Sequence, residues 1–118
     1  MSSTYPSPAT VPVTATGDID PRWGRAARVA VVEVQDGDLV RWEEFEVGWD
    51  QLHDVGTEGG HHARVARFLQ DHRIDVVVAG HMGEPMVQML DRMGLEVQLG
   101  ASGDAGRAVV FLSAGKAG

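Results

Sequence analysis

The chain has 118 residues, 43% hydrophobic and 23% charged, which suits one globular domain that buries its own core. It contains no cysteine, so disulfides, thiolate metal sites and cysteine-ligated iron–sulfur clusters are excluded. The net charge of −7 is the opposite of the basic balance that nucleic-acid binders carry, so no nucleic-acid partner is expected.

The first ten residues, "MSSTYPSPAT", lack the basic and apolar regions of a secretory signal and read as a disordered arm over 1–10. No apolar run approaches the ~20 residues that span a bilayer, so a cytoplasmic protein without a membrane partner is expected. "VPVTAT" (11–16) alternates like a strand, with Pro12 pushing it toward an edge or a strand start. A loop punctuated by Gly, Asp and Pro follows, "GDIDPRWGRA". "RVAVVEVQ" (28–35) is β-branched and apolar, and "DGD" is a tight-turn signal. "LVRWEEFEV" (39–47) returns to complete a hairpin. From Glu33 to Glu58 the chain carries nine acidic residues against one basic residue, Arg41, which predicts an acidic edge.

"GWDQLHDVGTEGG" reads as a long loop carrying His53. The spacing predicts a helix over 61–73, with His62, Val65, Ala66 and Leu69 on its apolar face and His61 free to turn toward a ligand. "DVVVA" (75–79) is a strand covered on both faces. "GHMGEP" is a turn, and Pro85 suits the start of the next helix, which runs to Met93 and stops at Gly94. "LEVQL" (95–99) is a further strand. "RAVVFLS" (107–113) reads as either a strand or a short helix, and 114–118 as a loose tail. One domain over 11–113 is expected. Helix–strand alternation in the second half implies a β-α-β unit and a mixed α/β sheet.

In such sheets ligands bind beyond the carboxyl ends of parallel strands, which points to "GHMG". Gly80 and Gly83 let backbone approach a ligand there. A helix leading into the strand through a short link runs antiparallel to it. "GGHH" therefore lies at the same edge, where His61 or His62 can approach His81 and Met82, with His53 as a further imidazole. Imidazole suits Fe, Cu and Zn, and a thioether favours soft metals. No nucleophile elbow, phosphate loop, HExxH or dinucleotide fingerprint is present, so no catalytic residues are assigned.

"DPRWGRA" (20–26) together with "GGHHARVARFLQDHRIDVVVAGHMGEPMVQMLDRMGLEV" (59–97) resembles the dinitrogenase iron–molybdenum cofactor biosynthesis family, the NifX-like group. The resemblance spans about residues 11–112. It implies a ribonuclease-H-like fold with a mixed five-stranded sheet. It also implies a non-enzymatic carrier for an anionic metal–sulfur cluster, with Fe, Mo, Cu or Zn as metal and a cluster donor or acceptor protein as partner. Arg22, Trp23 and Arg25 would line the site edge; the family often has His where this chain has Arg22. The alternative is a ligand-free interaction module that uses the acidic hairpin.

Overall fold

The computed structural model describes residues 8–52 and 54–116. Five strands form one mixed sheet: β1 (Ala9–Pro12), β2 (Arg28–Gln35), β3 (Asp38–Glu46), β4 (Val76–Val78) and β5 (Glu96–Gln98), in the order β3-β2-β1-β4-β5. β1 pairs antiparallel with β2 and parallel with β4, and β4 pairs parallel with β5. The helices are α1 (Trp49–Leu52), α2 (Glu58–Asp71), α3 (Glu84–Arg92) and α4 (Ala105–Lys116). The arm expected over 1–10 lies outside the described residues as far as residue 7, and β1 begins at Ala9, inside its expected span.

Local chemistry accounts for the element boundaries. Asp36 and Gly37 join β2 to β3 with φ of 53° and 83°, the double positive φ of a two-residue hairpin turn that matches strand twist. β1 ends at Pro12, which has no N–H for a ladder; the chain then turns at Thr14–Gly17, where the Gly17 N–H donates to the Thr14 carbonyl at 3.1 Å. α2 starts three residues before the expected position because the Thr57 hydroxyl caps it, accepting from the Gly60 N–H at 2.9 Å. The loop expected over 48–60 is shorter than predicted: α1 interrupts it, anchored by Trp49, which is buried.

Two apolar layers sandwich the sheet. Strand alternation sends Val29 and Val31 of β2 to one face and Ala30, Val32 and Val34 to the other. The first face packs against Val65 and Leu69 of α2 and Met86 and Leu90 of α3. The second packs against Ala105 and Val109 of α4. The segment 107–113, read from sequence as strand or short helix, therefore belongs to a helix that runs on to Lys116, where a loose tail from 114 was expected. All three residues of β4 are buried, as expected for a parallel strand covered on both faces.

Candidate functional site

β4 ends at Val78, and the chain passes through Gly80 into the segment His81–Gly83 that leads to α3. Gly80 is required by a close approach: a Cβ there would lie 3.0 Å from the Ala101 carbonyl oxygen. Its own carbonyl accepts from the Gly100 N–H at 3.0 Å, tying the ends of β4 and β5 together. Gly80 thus supports the site from behind, whereas Gly83 reaches its surface.

Three segments enclose a cleft of about 330 Å³. The first is Pro21–Arg25, which includes the one-turn 3₁₀ helix Trp23–Arg25. The second is the first turn of α2, with His61 and His62. The third is the β4–α3 connection, with His81, Met82, Gly83, Pro85 and Met86. The antiparallel relation of α2 and β4 does bring "GGHH" and "GHMG" to one edge. Arg22, Trp23, Arg25, His61, His62, His81, Met82 and Gly83 all meet here, while His53 lies outside the described residues.

The two adjacent histidines take opposite parts from those the sequence suggested. His61 is 3% exposed and continues the buried stripe through Val65 and Leu69. Its Nε2 lies 2.7 Å from the Gly24 carbonyl oxygen, and its Nδ1 lies 2.8 Å from Nη1 of Arg64. A carbonyl accepts and a guanidinium donates, so the pair assigns the neutral tautomer with the proton on Nε2. Arg64 Nη1 also donates to the Leu52 carbonyl at 3.1 Å. His61 therefore fastens the 21–25 segment to α2, and Arg64 fastens both to the end of α1. His62 is half-buried and His81 exposed, and both line the cleft.

Buried Asp20 grips Arg22 at the mouth. Its carboxylate accepts from the Arg22 N–H at 2.9 Å and from Nε and Nη2 at 3.2 Å each. The hydrogen bond and charge of Asp20, with a smaller contribution from Asp50, raise the Arg22 guanidinium above its already high ordinary pKa, so Arg22 stays charged through neutral pH. Arg25, at the end of the same turn, is exposed. The cleft wall combines these cations with the buried side chains of Trp23, Met82 and Met86. Among the described residues no carboxylate lines it, although the chain's net charge is −7.

The arrangement limits the chemistry. Among the described residues no group of three or more His, Asp or Glu side chains is disposed to hold a metal ion. The three imidazoles share one cleft, but His61 has both ring nitrogens engaged. Met86 both lines the cleft and packs in the core, because α3 begins at the sheet edge with Pro85 in its first turn.

The fold has solved relatives. It is similar to the apo form of the orange protein from Desulfovibrio gigas, at 24% identity and TM-score 0.74, covering 96% of this chain and 92% of that one. The structure of PH0822 is similar at 18% identity and TM-score 0.72, covering 92% and 91%. A candidate dinitrogenase from Methanocaldococcus jannaschii is similar at 7% identity and TM-score 0.67, covering 93% and 90%. No curated protein matches the chain in sequence. Residues 8–115 match the family described as dinitrogenase iron-molybdenum cofactor, and the chain belongs to that family.

Proposed function

We propose that this protein carries a metal–sulfur cluster, or a metal-containing anion used to build one, in the cleft at the carboxyl edge of β4. The observation that supports this reading most is the charge of the cleft. Among the described residues, a chain with net charge −7 places two arginines and two accessible histidines around one concavity and no carboxylate. Clusters of this kind are anionic, and cationic and N–H donors hold anions by charge-assisted hydrogen bonds. The thioethers of Met82 and Met86 and the ring of Trp23 offer a polarisable wall suited to sulfur. Family membership supports a role in iron–molybdenum cofactor handling. Binding and transfer to an acceptor protein, with no bond made or broken by the chain, is the activity this site suits.

The test is a titration of the untagged protein with tetrathiomolybdate, alone and with copper(I) or iron(II), followed by absorbance and metal analysis. Saturable binding is expected, and a His62→Ala/His81→Ala variant should lose most of it while melting at the same temperature. Binding that is absent, or indifferent to His62 and His81, would overturn the proposal.

A further inference from the structure

Trp23 lines the cleft and is 1% exposed, and among the described residues its buried Nε1 makes no hydrogen bond. Trp42 shows the ordinary case: its Nε1 donates to Glu44 Oε2 at 2.8 Å. Buried donors left unmade are rare in folded proteins, because each forfeits a bond that it has in water. On the same turn the Gly24 carbonyl accepts from His61 at 2.7 Å, and that bond holds the turn in place.

We propose that the indole N–H of Trp23 is a concealed donor that recognises an anionic cargo. An oxygen or sulfur acceptor of the bound anion takes the hydrogen bond that the protein leaves unmade. The inference rests on the cleft being the cargo site, and it names the feature of the cargo that is read: an acceptor atom on an anion, not a bare cation. Trp23 sits between Arg22 and Arg25 on one short turn, so the side chains flanking it offer further donors. A bare cation gains nothing from such a surface. Most hydrogen bonds add little net affinity, because donor and acceptor each give up water. The Trp23 N–H, sealed from water, has none to give up, so its bond adds to affinity more fully. Met82 and Met86 share its core cluster and the cleft wall, and their unbranched side chains can shift to admit the ligand.

The experiment follows the three indole N–H resonances by ¹⁵N NMR during titration with tetrathiomolybdate. The Trp23 signal is expected to move downfield on binding, and the Trp42 signal to stay in place. Zinc alone is expected to leave Trp23 unmoved. Trp23→Phe keeps a ring and removes the donor, and is expected to bind tetrathiomolybdate about 10–100-fold more weakly, the range of a hydrogen bond to a charged group. An unmoved Trp23 signal while the His62 and His81 ring signals respond would overturn this inference and leave the carrier reading intact. Equal movement with zinc, or unchanged affinity in Trp23→Phe, would also overturn it. No response at any cleft residue would overturn both. The wild-type titration decides the question even if Trp23→Phe fails to fold.

Discussion

His61 and His62 are neighbours in sequence and have different work to do. His61 is a buried fastener with both ring nitrogens engaged; His62 is half-buried and lines the cleft. Removing the His61 ring nitrogens strands the Gly24 carbonyl and one Arg64 donor. His61→Phe should therefore cost about 2–4 kcal/mol in urea unfolding, one lost buried partner at each end. His62→Ala should cost about 1 kcal/mol or less, because its half-buried ring lies in the cleft wall and outside the core cluster. Equal costs would contradict the division of roles. Gly80 makes a similar point. Its place beyond a strand end suggested a backbone surface for ligand, but the close contact it permits is with the Ala101 carbonyl. Gly80→Ala should destabilise by about 1–3 kcal/mol, the range for forcing volume into packed structure.

At the scale of elements, the site depends on how helices begin and which faces they bury. Thr57 caps α2, whose first turn carries both histidines. Thr57→Ala should cost about 1 kcal/mol, and Thr57→Ser should recover most of it; denaturant midpoints with unchanged slope would check this. α4 offers a sharper test. In a strand, residues 109 and 111 face the same side; in a helix they lie about 200° apart. Val109 is fully buried and Phe111 is 77% exposed, as a helix requires. Val109→Asp should cost more than about 4 kcal/mol by burying an unpaired charge, and Phe111→Asp about 0.5 kcal/mol or less. Similar losses at both positions would contradict the helix.

At the scale of the molecule, legibility followed the range of the physics. Residues 28–35 were readable as a strand because a β-branched run bounded by turn residues needs no distant partner to declare itself. "DG" specified its hairpin because only that turn geometry asks for positive φ twice in succession. The edge holding the site was also readable, since a helix joined to a strand by a short link must return alongside it. "RAVVFLS" was ambiguous because a segment that is apolar all round has no period; the uncovered second face of the sheet settled it as a helix. The charge of the hairpin was visible, but not its pairing. Arg28 reaches Glu44 and Glu46, and Arg41 reaches Glu33 and Glu43, so these four hairpin carboxylates are partnered across or along the strands.

The amino-acid sequence by itself determined β2, β3, α2, β4, α3 and β5, the mixed sheet and the edge where His61, His62, His81 and Met82 gather, because those follow from periodicity, turn chemistry and short connections. Only the tertiary structure decided which of the two cleft histidines is buried as a fastener and which stays half-buried in the cleft wall. Positions 61 and 62 differ by 100° around a helix, and the apolar stripe tolerates either. The choice was made by the Gly24 carbonyl, 37 residues away in the chain, which meets His61 once the fold has closed.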